Sequence, residues 1–291
     1  MNLPKTISLL FTVCMFAACI REDMSKCGEC EGIILNFEYP NFPNKINKVN
    51  IGIFDKDGNL VESRLINKEY LTEFQGVKLG LESGNYTAIC WGNAFDNTLI
   101  KGLGVDSKIT NMEVSHPNSG SSKIIQTSDS LFYGKLAFTI PSDRKYTGTV
   151  KFKPAFIHFK VAVKGLDTKK NMVAIYITNL KTYYNSEMQT YGAVSSYIPS
   201  MTAAADKTWA TCSDVFRFDY DNPITVDLLN PTDNNNILAS VDIKTFVKNN
   251  NISLDKDREV TIPILFNYTS GDISISPEIG VWDESTVIPE W

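Results

Sequence analysis

The sequence predicts an all-β protein made of two antiparallel β-sandwich domains in tandem. The dominant hydrophobic period along the chain is two, and helical stripes are scarce. Gly, Asn, Asp and Pro interrupt the alternating runs at short intervals. Runs of this kind read as antiparallel strands with one buried face. At 291 residues and 43% apolar, the chain has enough material for two cores of ordinary domain size.

The N-terminus decides the compartment and is set aside from the fold. Behind Lys5, the run from Ile7 to Ala18 is broken only by Ser8 and Thr12. It is shorter than the roughly 20 residues of a spanning helix. A short apolar run ending in small residues reads as a secretory signal. Ala17 and Ala18 stand directly before Cys19 in the string FAAC, which resembles the bacterial lipobox. Residues 1–18 are therefore expected to be a lipoprotein signal peptide, with Cys19 acylated as the first mature residue. Residues 19–30 would be a lipidated linker. Each buried acyl CH₂ contributes about 0.8 kcal/mol, so several chains hold a domain at a membrane surface. Glu22 and Asp23, just after Cys19, resemble the surface-export signal of lipoproteins in Bacteroidetes-type bacteria.

The strands then follow in order. Ile33, Leu35, Phe37 and Tyr39 alternate with polar residues until Pro40 and Pro43 break the run. Val49, Ile51 and Ile53 form a second strand ending in Asp55-Lys56-Asp57-Gly58-Asn59. That string starts like a calcium loop but has Leu60 at its sixth position and Ile66 at its twelfth. A hairpin turn on Asp57-Gly58 is the better account. Val77, Leu79 and Leu81 make a third strand, and Tyr86, Ala88 and Cys90 a fourth. A domain boundary is expected near Gly148, giving sandwiches over residues 31–148 and 149–291. In the second, Ala155, Ile157, Phe159, Val161 and Val163 share one face, leaving His158 and Lys160 on the other. Val173 to Ile177, Ile224 to Leu228, Val260 to Tyr268 and a terminal pair around Pro277 complete the pattern. Ile243, Phe246 and Val247 mark one short helix.

Long polar stretches lie at 115–129, 183–213 and 229–236. The first is Ser-rich and reads as a surface loop. The second carries Tyr183, Tyr184, Tyr191, Tyr197 and Trp209. Those rings could form a binding platform, since aromatics stack on sugars and partner proteins. They could equally cover the core of the second sandwich.

Composition narrows the chemistry. The formal charge is −5, and removing Lys5 with the signal makes it −6. A mildly acidic chain is a poor nucleic-acid binder. After Cys14 and Cys19, four cysteines remain: Cys27, Cys30, Cys90 and Cys212. They could form two disulfides in any of three connectivities. The CGEC of Cys27 and Cys30 lies before a strand rather than at a helix N-terminus, which disfavours thioredoxin-like chemistry. No second CxxC or paired His is present to complete a zinc site, and no other metal or cofactor motif appears. The only histidines are His116 and His158, and GxSxG, P-loop and GxGxxG motifs are absent. No catalytic residue is assigned, and a non-enzymatic protein is expected.

Several segments resemble a known family. The opening CIREDMSKC, the VNIGIFDKDGNLV hairpin and the segment LESGNYTAICWGN from Leu81 to Asn93 are similar to FimB-like, minor-fimbrium anchor lipoproteins of Bacteroidetes-type bacteria. The strand FIHFKVAVKGL and the terminal IGVWDESTVIPEW are compatible with it. The resemblance implies two transthyretin-like sandwiches in a type V fimbrium and fimbrillin-type subunits as partners. It implies outer-membrane attachment through lipid, facing the cell exterior. In shaft subunits of such fimbriae, a protease cuts after an Arg in the first domain and removes the first strand. A neighbour's strand then fills the groove. An anchor keeps its lipid and first strand, and so holds the fibre and ends its growth. The loop Pro40 to Lys48 contains Lys45 and Lys48 but no Arg, which favours an anchor. A surface adhesin, a fimbrial tip or a glycan-binding lipoprotein using the Tyr-rich stretch is the alternative.

Overall fold

The computed structural model describes residues 32–121, 123–166, 172–204, 207–269 and 271–277. It shows two sandwiches in tandem. Eight strands run β1 (Ile33–Glu38), β2 (Val49–Asp55), β3 (Leu60–Ile66), β4 (Gly76–Leu79), β5 (Gly84–Gly92), β6 (Leu99–Lys101), β7 (Glu113–Ser115) and β8 (Phe132–Ile140). Ten more follow: β9 (Tyr146–Pro154), β10 (Phe156–Lys164), β11 (Ala174–Asn185), β12 (Thr190–Tyr197), β13 (Thr202–Ala204), β14 (Thr208–Phe216), β15 (Thr225–Asn230), β16 (Asn236–Asp242), β17 (Thr261–Thr269) and β18 (Asp272–Ser276). Three short helices are α1 (Phe42–Lys45), α2 (Lys68–Glu73) and α3 (Ile243–Asn249). Asn67 and Asp242 cap the last two by accepting from the backbone N–H of Tyr70 and Thr245. Among the described residues, no helix is long and apolar enough to cross a membrane.

The first sandwich is one sheet in the order β3-β2-β5-β8-β9-β1-β4, rolled around a single core. β9 makes the roll possible by pairing with β1 through its first six residues and with β8 through its last three. Gly148, the expected boundary, falls inside β9, and the strand stays with the first sandwich to Pro154.

The second sandwich packs β13-β14-β10-β17-β18 against β16-β15-β11-β7-β6, with β12 also on β11. Ile157, Phe159, Val161 and Val163 of β10 meet Ile175 and Ile177 of β11, Val226 and Leu228 of β15, and Phe246 of α3 in its core. β6 and β7 come from the first half of the chain yet belong to this sheet, because β7 pairs with β11. Most ladders are antiparallel, but each sandwich has one parallel pair, β1 with β9 and β10 with β17. In both, the first strand pairs with a strand near the domain's end, so the intervening sandwich supplies the long connection that a parallel pair requires.

The polar stretch 183–213, too long for a plain connection, is mostly strand. β11 extends to Asn185 and turns directly into β12, while β13 and β14 complete the segment. Polar composition concealed β12, which is exposed at Tyr191, Gly192, Ala193 and Val194. The Ser-rich stretch 115–129 is also more than a surface loop, since Ile125 and Ser128 are buried against the second sandwich.

Candidate functional site: the first strand and the seam between sandwiches

The features that bear on function meet at β1 and at the junction of the two sandwiches. β1 is a central strand, antiparallel to β4 on one side and parallel to β9 on the other. Its alternation IILNFE sends Ile33, Leu35 and Phe37 into the core at 2% exposure or less. Burial of each such side chain contributes roughly 1.5–3 kcal/mol. Phe37 stacks on Phe42 and meets Phe152 edge-on, so the strand and the segment after it share one aromatic cluster. The first sandwich is thus closed by its own first strand.

The segment from Tyr39 to Lys48 forms a strap over this end of the sandwich. Phe42 and Ile46 are its apolar pegs, each 1% exposed. The WGN string of residues 91–93 receives it. Gly92 lies so close that an added Cβ would stand 3.0 Å from Ile46 Cγ2 and 3.2 Å from Phe132 Cβ. Asn93 holds φ at 59° and accepts from Asn47 N at 2.9 Å through Oδ1. Its Nδ2 donates to Lys45 O at 2.7 Å, and its own N–H donates to Lys48 O at 2.9 Å. Across the junction, Glu259 accepts from Tyr39 Oη at 2.9 Å and from Lys45 Nζ at 3.0 Å. Burial first, then the bond to Glu259, pushes the Tyr39 hydroxyl well above the usual tyrosine range.

Beneath the strap, a third core joins the sandwiches. β5 buries both faces: Ala88 and Cys90 point into the first core, while Ile89 and Trp91 point into this seam. Trp91 packs on Tyr133 and Tyr184, and Tyr184 stacks on Phe216 with ring centres 4.5 Å apart. Tyr184 Oη donates to Ala155 O at 2.7 Å and accepts from Arg217 N at 2.6 Å. The Arg217 guanidinium, 6% exposed, donates to the carbonyls of Pro154, Phe156, Leu254, Asp255 and Arg258. It therefore pins the inter-domain connection at 154–156 to the loop before β17. Burial lowers its pKa, the expected direction for a desolvated cation.

Beside the strap opens a polar cleft of about 410 Å³, lined by Lys45, His158, Lys160, Asp214 and Glu259 among others. His158 Nδ1 bonds Asp214 Oδ1, and Ser130 Oγ donates to the other carboxylate oxygen. Burial alone would lower the imidazole pKa, but the hydrogen bond and charge of Asp214, with the neighbouring Cys212, carry it up to about 9.

The structure redistributes the residues singled out from sequence. The aromatic platform does not assemble. Tyr184 and Tyr197 are fully buried, the first in the seam and the second in the core of the second sandwich. Trp209 is half-buried on β14 of the opposite sheet and packs against that core. Only Tyr183 and Tyr191 remain together near the surface, rings 5.7 Å apart, with Tyr191 Oη donating to Glu113 at 2.7 Å. Strand alternation separates Tyr183 from Tyr184, sending adjacent side chains to opposite faces. The disulfides envisaged for Cys90 and Cys212 are not formed, and both thiols are free. Cys90 points into the first core, whereas Cys212 is exposed on the second sandwich. Cys19, Glu22, Asp23, Cys27 and Cys30 lie outside the described residues. Sequence reading missed Arg217 and Asn93 as organising residues. The left-handed turn of Asn93 after Trp91-Gly92 is the one local signal that could have marked it.

Comparison with known proteins bears on the whole chain. The family model for fimbrillin-A associated anchor proteins Mfa1 and Mfa2 matches residues 26–287. The chain belongs to this family. Anchor-family membership implies association with fimbrial subunits and a location at the cell surface or outer membrane. The fold is also that of the fimbrial anchor protein Mfa2 from Porphyromonas gingivalis, at TM-score 0.63 and 17% identity, over 84% of this chain and 94% of that one. A candidate adhesin from Bacteroides ovatus matches at TM-score 0.73 and 14% identity, covering 86% and 94%. A candidate polysaccharide-binding protein from Bacteroides thetaiotaomicron matches at TM-score 0.71 and 16% identity, covering 87% and 99%. No curated protein matches the chain.

Proposed function

We propose that this chain is the lipid-held base of a type V fimbrium, which grips the terminal fimbrillin-type subunit by strand complementation and limits fibre growth. The observation that carries the reading is the retained first strand. β1 lies between β4 and β9 with its apolar face buried, so the groove that a donor strand would fill is already occupied. The strap after β1 contains no Arg and is tied to Asn93 and Glu259, which disfavours proteolytic removal of the strand. In this reading Cys19 carries the lipid, and Glu22 and Asp23 direct the protein to the exterior of the outer membrane. The adhesin alternative has lost its aromatic platform, since two of the five rings are buried.

Deletion of the gene tests the reading. Detached or overlong fibres are expected, and a Cys19→Ala chain should fail to restore attachment. Fibres of normal length that stay on the cell would overturn the proposal. Mass spectrometry of the mature N-terminus checks acylation of Cys19 directly.

A further inference from the structure

Beside α3, the second sandwich opens a pocket of about 500 Å³ that the anchor role does not use. Val247, at 1% exposure, and the half-buried Ile252 form its apolar base and belong to the second core. Tyr220 stands at its edge with 46% of its surface in solvent. The ring is nevertheless held in place. It lies in the turn after β14, where Asp219 N donates to Asn222 Oδ1 at 2.9 Å and Asn222 N to Asp219 O at 3.1 Å. The Tyr220 hydroxyl accepts from Leu254 N at 3.0 Å and donates to Ile252 O at 3.4 Å. Ile252 N in turn donates to Val247 O at 2.9 Å, tying that wall to α3. An exposed ring fixed this way is preorganised for contact, since no rotamer freedom is left to lose.

The polar groups of the pocket point to one charge. Lys244 and Lys248 stand at i and i+4 on one face of α3, and no acidic residue lines the pocket, in a chain whose net charge is −5. The carboxylates on the Tyr220 turn are already engaged: Lys244 binds Asp221 at 2.9 Å, and Lys256 binds Asp219 at 2.9 Å. Lys248 has no ion-pair partner among the described residues, and the side chains of Asn251 and Ser253 have no hydrogen-bond partner there either. A free ammonium, an amide and a hydroxyl thus converge on a fixed aromatic ring. Lys248 also suits the carbonyl end of α3. That accounts for a lysine at this position but not for the pinned ring or the two unpaired polar groups across from it.

We propose that this pocket binds a sugar of the uronate class, an anionic pyranose with one carboxylate. The C–H face of the sugar lies on Tyr220 and Ile252, an apolar contact for which an amphipathic ring is suited. The carboxylate takes a charge-assisted hydrogen bond from Lys248. The ring hydroxyls exchange hydrogen bonds with the Asn251 amide, a donor and an acceptor, and with the Ser253 hydroxyl. A neutral sugar leaves the Lys248 ammonium without a counter-charge, and a flat aromatic acid leaves Asn251 and Ser253 unused. The pocket shares no residue with β1, the strap or the aromatic stretch 183–209, so the site is a second function of the chain and does not rest on the anchor reading.

The test uses the full mature chain, with calorimetric titration and saturation-transfer NMR to read binding. Methyl glucuronide and a glucuronate-containing oligosaccharide are run side by side to tell a terminal uronate from one within a polymer, and binding of either supports the site. Lys248→Gln should weaken binding about tenfold or more, the usual loss for one hydrogen bond to a charged group. Tyr220→Leu should abolish the saturation transfer to the sugar C–H protons, whereas Tyr220→Phe, which keeps the ring, should retain it. Lys108→Gln, outside the pocket, should bind as the wild type does. Added salt should weaken binding, as it screens an exposed charge pair. Absence of saturable binding by both probes would overturn the proposal, as would equal affinity in wild type and Lys248→Gln. Glucose binding as well as methyl glucuronide would overturn the anion assignment, and benzoate doing so would overturn the sugar assignment. Fibre attachment is not read in these titrations, so failure here leaves the anchor proposal standing, and the reverse also holds.

Discussion

Asn93 bonds the strap three times, through both ends of its amide and through its own backbone N–H. Asn93→Ala removes both side-chain bonds and leaves the Lys45 carbonyl and Asn47 amide without those partners. The expected cost is about 1–3 kcal/mol. It should appear as faster Lys-specific cleavage at Lys45 and Lys48 in limited proteolysis, while the remaining chain resists. His158 makes a second prediction at this scale. Its folded pKa of about 9 lies above the 6.5 of a free imidazole, so the native state retains a proton that the unfolded chain has lost. The associated stability is fully present below pH 6.5 and is lost as the pH rises through about 9. Melting temperatures followed from pH 6 to pH 10 should show this fall, and Asp214→Asn should flatten it.

At the scale of elements, β1 is the strand on which the functional reading turns. Leu35 is fully buried at its centre, and Leu35→Ala should cost about 2–5 kcal/mol in urea unfolding. Val61 on β3 is a contrast at the same scale, being 47% exposed. Val61→Ala should change stability by no more than about 0.5 kcal/mol. Similar costs at the two positions would mean that β1 is not held as a core strand. The alternating pattern of residues 33–39 made this strand legible in the sequence. Its neighbours were not, because alternation is the same whether the partner runs parallel or antiparallel.

For the whole molecule, the seam packs the two sandwiches together through shared contacts. β7 crosses into the second sheet, Trp91 and Tyr184 stack across the junction, and Arg217 clamps the connection at 154–156. Arg217→Met keeps the apolar stem but withdraws five backbone hydrogen bonds. Calorimetry should then show two separated transitions, or one broadened transition, where a single cooperative one is expected of the wild-type chain. An unchanged sharp transition would show that the aromatic stack alone couples the sandwiches. The clamp could not be read from the sequence: an Arg in FRFD looks like a solvated charge, and its acceptors are carbonyls up to 63 residues away.

What the sequence by itself determined was whatever depends on local pattern. Period-two alternation specified the all-β class, β1, β10 and β17. Asp57-Gly58 specified the turn, with Gly58 at φ 79° and Asp55 Oδ1 accepting from the backbone of Asp57 and Asn59. The spacing of Ile243, Phe246 and Val247 specified α3. Tertiary structure decided which faces became seams and which became surface. It buried Tyr184 and Tyr197, set His158 opposite Asp214, and carried β7 into the other sandwich. Burial is a property of what packs on a face, and that partner is set by register and topology between residues distant in the chain.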